Sequence, residues 1–504
     1  MLQASAVIDR GHVVAPVKRR LFGSFVEHLG RCVYTGIYEP GHPTADANGF
    51  RSDVAELIRE LGVTTVRYPG GNFVSGYRWE DGVGPRSERP TRLNLAWHST
   101  ETNEFGLNEF IDWTRVVGAE PMLAFNLGTR GILEALDLLE YSNHPGGTRL
   151  SDARIAHGAA QPHDVRLWCL GNEPDGPWQL GHMTASEYGR LAAETGRAIR
   201  QFDPTLELVV AGSTADFLPG AAEWDETVLS AAYEFSDLVS LHFYFEEAAS
   251  DLGSFLASGV DLERSINRLL ATADRVAAAQ GIDRKLAISL DEWGIWRRKP
   301  GAPLGPTHTG WPKAPPIGEE PYAVVDAVVA GSLLISILKH ADRIGCACQS
   351  LLVNAGAPIR TEPGGGAWRE SIFHPMGLTA RHARGDVVPV SLTGPELATT
   401  KYGSVASVDA AATLDETGVL ALFVVNRSPD EPVELSIDLG SDAPASLIEE
   451  LVLADPDPYA VNTCLDPERV VPRRGPAATI SGKRLTTTLE PASWTMLRVE
   501  PARP

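Results

Sequence analysis

Eight short runs of β-branched or apolar residues, each followed by a longer segment at helical spacing, recur between Leu21 and Arg384 and narrow the fold more than any other feature. The predicted strands are Leu21–Glu27, Val63–Tyr68, Pro121–Asn126, Val165–Leu170, Leu206–Ala211, Leu238–Tyr244, Leu286–Leu290 and Ala347–Val353. Between them, sets such as Val54, Leu57, Ile58 and Leu61, or Ile266, Leu269, Leu270 and Val276, repeat in the i, i+3, i+4 pattern of one buried helical face. Eight strand–helix alternations predict an α/β fold, a parallel (β/α)8 barrel over residues 19–384. Past Arg384 the runs Val419–Val425, Val433–Leu439 and Leu447–Leu453 are separated by turns, without helical spacing. Residues 385–504 therefore read as a jelly-roll-like β-sandwich. The opening run Gln3–Val14 is also strand-like, and residues 1–18 are expected to join the C-terminal sheet. The Gly/Pro-rich segment Lys299–Pro321, longer than ordinary connections, is a candidate active-site rim or lid.

Charge narrows the partners. The 44 Lys and Arg against 65 Asp and Glu leave a net charge of −21, and such a surface repels phosphate backbones and anionic lipid. Neither nucleic acid nor a membrane is expected as a partner. Five cysteines, odd in number and scattered, argue for reduced thiols over a disulfide framework. Asp9, Arg10 and His12 interrupt the stretch where a signal peptide would need apolar residues, so a cytoplasmic location is expected.

Active sites of (β/α)8 barrels lie at the C-terminal ends of the strands. Strand four runs into Leu170-Gly171-Asn172-Glu173-Pro174-Asp175 and strand seven into Leu290-Asp291-Glu292-Trp293, so each apolar strand delivers a carboxylate to that face. Taken singly, either Glu is as well explained by a helix cap or a loop ion pair. Together they form the pair that glycoside hydrolysis needs, one carboxyl to protonate the leaving oxygen and the other to attack the anomeric carbon.

Longer strings carry a resemblance. Phe22-Gly23-Ser24-Phe25-Val26-Glu27-His28-Leu29-Gly30-Arg31, Arg67-Tyr68-Pro69-Gly70-Gly71-Asn72-Phe73, Asn94-Leu95-Ala96-Trp97, Gly171-Asn172-Glu173 and Asp291-Glu292-Trp293 closely resemble the α-L-arabinofuranosidases of glycoside hydrolase family 51. The resemblance covers nearly the whole barrel and implies a barrel with a β-sandwich to which the N-terminus contributes. It implies Glu173 as general acid/base and Glu292 as nucleophile of a retaining double displacement, with no cofactor. Asn172 is expected to hydrogen-bond the sugar 2-hydroxyl, and Tyr244 to donate to the nucleophile or stack near it, a buried core tyrosine being the bland alternative. Glu27 and Asn72 are expected to bind furanose hydroxyls; Trp97 and Trp296 either wall the pocket by stacking on sugar faces or simply pack. His28 and His242 with Glu27 invite a zinc reading, but no HExxH or comparable spacing exists, and no metal is expected. The implied substrates are arabinofuranosyl oligosaccharides attacked from the non-reducing end, and the implied assembly is a homo-oligomer, a hexamer in the family.

Three departures stand out. Pro174 follows the acid/base where the family has Met, and Gly294-Ile295-Trp296 replaces Asn-Val-Trp. On strand eight the pattern Ala-Gln-Leu-Val-Asn aligns with Ser350-Leu351-Leu352-Val353-Asn354, so Leu351 stands for the sugar-binding Gln. Gln349, two residues earlier on the same strand face, is a candidate substitute. These changes leave open a related furanoside such as a galactofuranoside, or a β-glucan link. A sugar-binding protein on an inactive barrel and a metal-dependent barrel hydrolase are the readings from other classes.

Overall fold

All eight runs form parallel strands that close into a barrel in chain order, strand eight pairing back onto strand one, in the computed structural model of the chain. It describes residues 1–214, 220–248, 251–298, 305–440, 445–475 and 478–501. The barrel strands one to eight are Gly23–Phe25, Thr65–Tyr68, Glu120–Ala124, Leu167–Leu170, Glu207–Ala211, Leu238–Phe245, Ala287–Ile295 and Ile344–Gln349. Parallel strands covered by helices are buried on both faces, which is why they read as continuous apolar runs.

The strand ends differ from expectation where they matter most. Strand one is short because Arg19–Phe22 forms a 3₁₀ turn. It is also tightly approached, since a Cβ on Gly23 would lie 2.8 Å from both the Ala347 carbonyl and Cys348 Sγ. Strand seven continues past Leu290, so Asp291, Glu292 and Trp293 belong to the strand and not to a loop. Strand eight starts and stops early, leaving Ser350–Asn354 beyond its end.

The helices Ser52–Leu61 and Gly259–Gln280 bury the predicted faces, with Leu57 only partly covered, and each ends at a glycine with positive φ (Gly62, 79°; Gly281, 68°). The helix Val324–Lys339 is different: every residue from Val324 to Leu338 is buried. It lies between the barrel and a seven-stranded sheet, packing on Val408–Leu414, Leu420–Asn426 and Ser493–Pro501, with Gly331 directly against the Trp494 indole.

That sheet and a five-stranded one form the C-terminal sandwich. Along Leu420–Asn426, Leu422 and Val424 face the sandwich core while Phe423 and Val425 face the barrel side, so the strand is apolar throughout. Leu2–Ile8 pairs parallel with Val433–Asp438 and antiparallel with Val390–Thr393, placing the first strand inside the five-stranded sheet. Residues 299–304 of the predicted rim segment lie outside the described residues. Its remainder is tied to the hairpin Arg92–Asn94/Ser99–Glu101, with Thr100 N donating to the Pro312 carbonyl at 3.0 Å and Lys313 pairing with Glu104 at 2.8 Å. No helix among the described residues is long and apolar enough to cross a membrane.

Candidate active site

Loops at the C-terminal ends of the strands enclose a cavity of about 380 Å³. Seven of the residues expected from the sequence line it: Glu27, Asn72, Trp97, Glu173, Tyr244, Glu292 and Trp296. Phe25, Leu29 and Leu351 complete an apolar wall around these polar groups.

Glu292 reaches the cavity from strand seven. Its Oε1 accepts from Arg67 Nη1 at 2.7 Å and its Oε2 from the Tyr244 hydroxyl at 2.7 Å. A register shift between Ser240 and His242 on strand six sets His242 opposite Glu292, so both project into the barrel mouth. Glu173 follows strand four with φ of +43°, a strained value for a residue carrying a Cβ and one that clusters at functional sites. One Glu173 oxygen accepts from His242 Nδ1 and the other from the Trp178 indole, each at 2.9 Å. One oxygen of each of the two glutamates and one ring nitrogen of His242 lie within 4.8 Å of one another.

The two carboxylates live in different fields. Burial, and after it the charge of Glu292, raises the Glu173 carboxyl above its ordinary range despite the His242 contact. Glu292 instead shares the buried guanidinium of Arg67, which also donates to Asn172 Oδ1 at 2.7 Å and stands 3.2 Å from Asp291 through Nε. Asp291 is buried; burial alone would raise its carboxyl, but Arg67 and His242 hold it low, and Ser240 donates to it at 2.6 Å. For His242, burial disfavours the charge, yet Glu292, Asp291 and Glu173 outweigh it and lift the imidazole to about 10. With both ring nitrogens protonated, His242 offers no lone pair to a cation, although the trio is the one grouping of potential metal ligands among the described residues. His28 takes no part: Nδ1 faces Glu101 at 2.8 Å and Nε2 lies 3.0 Å from the Tyr68 hydroxyl.

Glu27 accepts on Oε1 from Phe73 N and from the Trp97 indole, both at 2.7 Å, so Trp97 is a positioned donor as well as a wall. Burial, then the charge of Glu292, pushes the Glu27 carboxyl up to about 8. The Trp296 ring meets Tyr244 edge to face, centroids 6.2 Å apart. Asn172 is buried behind the cavity, its amide nitrogen 3.5 Å from Asn72 Oδ1.

Gln349 does not substitute for the missing glutamine. Because strand eight ends there, its amide turns back to the carbonyls of Ser350 (2.7 Å) and Gly356 (3.2 Å), and it is absent from the cavity lining. Ser350 and Leu351 reach the cavity in its place.

Comparison with known proteins agrees with this geometry. Residues 57–251 match the family described as Alpha-L-arabinofuranosidase 1 domain, and residues 291–493 match the Alpha-L-arabinofuranosidase C-terminal domain. A Streptomyces lividans protein named intracellular exo-alpha-(1->5)-L-arabinofuranosidase is 52% identical over 99% of this chain and 75% of its own length. A family 51 alpha-L-arabinofuranosidase from Bifidobacterium longum superposes with a TM-score of 0.94 at 45% identity, over 99% of both chains. This chain belongs to the family 51 α-L-arabinofuranosidases. A Bifidobacterium longum protein named exo-alpha-(1->6)-L-arabinofuranosidase is 49% identical over 99% of this chain and 97% of its own. The Thermotoga maritima arabinofuranosidase, solved as an arabinose complex, has a TM-score of 0.87 at 33% identity over 99% of this chain and all of that one.

Arg67, Asp291, Trp178, Ser350 and the charged role of His242 were not anticipated from sequence. A readable signal existed for two of them. Arg67 and His242 are lone cations in otherwise apolar buried strands, and buried charges occur only when paired.

Proposed function

We propose that the protein is an exo-acting, retaining α-L-arabinofuranosidase that releases terminal non-reducing arabinofuranosyl residues, with Glu292 as nucleophile and Glu173 as acid/base. The observation that carries this reading is the Glu173–Glu292 pair, with oxygens within 4.8 Å, in which burial and the neighbouring charge raise the Glu173 carboxyl. Retaining enzymes hold their carboxyl groups about 5–5.5 Å apart, whereas inverting ones leave room for a water between them.

Arg67 and Tyr244 hold both oxygens of an ionised Glu292, aimed at the anomeric carbon. Glu173, its carboxyl raised by burial and by its neighbour's charge, gives its proton to the leaving oxygen as the C–O bond breaks and the glycosyl ester forms. Esterification removes the charge of Glu292 and with it one cause of the raised Glu173 carboxyl. Glu173 then takes a proton from the water that releases the sugar. Asn172, its oxygen committed to Arg67 and one amide N–H turned to Asn72, has its other N–H for the 2-hydroxyl. Glu27 and Asn72 orient the furanose, and Trp97 and Trp296 wall it.

The pairing of Leu2–Ile8 and Ala15–Pro16 with C-terminal strands supports a division into 1–18 with 385–504 as sandwich and 19–384 as barrel. The relatives' names support a cytoplasmic site of action, and family resemblance supports a homo-oligomer, testable by sedimentation. Activity on a panel of nitrophenyl furanosides and pyranosides, with NMR of the first-formed anomer, tests the function. Preferential α-L-arabinofuranoside cleavage with retained configuration is expected. Inversion overturns the mechanism, a galactofuranoside preference overturns the sugar, and binding without turnover favours the inactive-barrel reading. Oligomers linked (1→5) and (1→6) in the same panel assign the linkage, since relatives of similar identity are named for each.

A further inference from the structure

The hydroxyl of Ser350 lies 2.6 Å from the Tyr244 hydroxyl, which itself lies 2.7 Å from Glu292 Oε2. Proton counting orients this chain. An ionised carboxylate only accepts, so the single phenolic proton of Tyr244 goes to Glu292, and Ser350 must be the donor to the Tyr244 oxygen. We propose that Ser350 is a positioning residue for the nucleophile, fixing the Tyr244 proton on Glu292 by donating its own hydroxyl to the phenol. This rests on Glu292 being the nucleophile, as argued above.

Tyr244 needs such a hold. It leaves 36% of its surface exposed at the cavity, where its one ring contact among the described residues is the edge-to-face meeting with Trp296. Packing therefore leaves the aim of the phenol to its hydrogen bonds. Ser350, by contrast, is buried and fixed: its N–H donates to the Trp293 carbonyl at 2.9 Å, and its carbonyl accepts from Gln349 at 2.7 Å. Gly294 allows the close approach, because a Cβ there would lie 2.9 Å from the Ser350 carbonyl oxygen. The serine thus hangs from the nucleophile's own strand. Gln349 gains a use in this arrangement, as the buttress of Ser350 and not as a sugar ligand. With the Ser350 and Tyr244 protons both committed, the end of strand eight presents the sugar with the apolar face of Leu351.

The test is a double-mutant cycle on the full-length enzyme with nitrophenyl α-L-arabinofuranoside. Ser350→Ala should lower kcat/KM about three- to tenfold, the worth of one buried hydrogen bond. It should also move the acidic limb of the kcat/KM profile to higher pH, because a slack Tyr244 donor favours the ionised nucleophile less. Glu292 is otherwise faced by Arg67 of strand two, Glu27 past strand one, Glu173 past strand four, and His242 of strand six, with Asp291 beside it on strand seven; all are unchanged in the variant. In a Tyr244→Phe background the same substitution should change kcat/KM less than twofold, since the relay is already cut. If the alanine variant does not fold, Ser350→Cys, of similar volume but a weak donor, takes its place in the cycle. Equal losses in both backgrounds, or an unmoved acidic limb, overturn the relay. Failure of azide to rescue Glu292→Ala removes the nucleophile assignment instead, so the two failures are distinguishable.

Discussion

Glu27 and Glu292 converge on the bare face of Gly71: a Cβ built there would lie 3.0 Å from Glu292 Oε1 and 3.1 Å from Glu27 Oε2. Burial first, and then the resistance of two neighbouring carboxylates to carrying two negative charges, lifts Glu27 to about 8. At neutral pH Glu27 is therefore mostly the acid, accepting through Oε1 and carrying its proton on the side of Oε2.

Glu27→Gln reproduces that protonated form, its carbonyl accepting from Phe73 and Trp97 and its amide replacing the acid hydroxyl. Since the folded carboxyl is raised, the second charge appears beside the nucleophile only as pH climbs through about 8. The glutamine variant should keep activity within roughly tenfold at neutral pH, about the worth of one buried hydrogen bond, and lose less than the parent enzyme above pH 8. A steeper alkaline loss in the variant would contradict a neutral Glu27.

Glu292→Ala should abolish turnover, because no glycosyl ester can form, and added azide should yield a glycosyl azide of inverted configuration. Product analysis by NMR decides it. Turnover at the parent rate rules out Glu292 as nucleophile.

Loss of the acid acts selectively. Glu173→Ala should reduce hydrolysis of substrates with poor leaving groups by about 10²–10⁴-fold while sparing activated aryl glycosides in the bond-breaking step. The measurement is kcat/KM against leaving-group pKa, and equal damage across the series argues against proton donation by Glu173.

Leu351→Gln returns a polar group to the wall where Leu351 meets the cavity. Preference for α-L-arabinofuranoside over other furanosides should rise a few-fold to tenfold, in line with about 0.5–1.5 kcal/mol for one buried hydrogen bond. A preference that is unchanged or reversed means this wall does not read the sugar.

Chelator should leave the rate untouched. The Glu173–His242–Glu292 trio has metal-like spacing, but a protonated His242 occupies the place a cation would take. Activity lost to EDTA and regained with a divalent ion would make the site a metal centre.

The eight barrel strands were legible as apolar runs between helical segments, and the placement of Glu173 and Glu292 at the cavity was legible because two of those runs lead at once into a carboxylate. Glu27, Asn72 and Trp97 were legible through long matching strings. The bounds of strand eight were not, because its end depends on where pairing with strands seven and one stops, a contact between segments more than 300 residues apart on one side. A shift of that end turned Gln349 inward and brought Ser350 and Leu351 to the cavity. Asp291 was passed over for a similar reason: placed just past the predicted end of strand seven, it lies inside that strand, where its contacts with Arg67, Ser240 and His242 compensate a buried charge.

The helix Val324–Lys339, buried over its whole circumference from Val324 to Leu338, ties the barrel to the sandwich. Cut away at residue 384, the catalytic part would present that helix to water along the whole face now covered by Phe423, Val425, Trp494 and Met496. Hydrophobic surface costs roughly 25 cal/mol per Å² when exposed, and a naked helix of this kind invites aggregation. Barrel and sandwich should therefore melt in a single transition, because the helix that the sandwich covers directly follows, in the chain, the strand that carries Glu292.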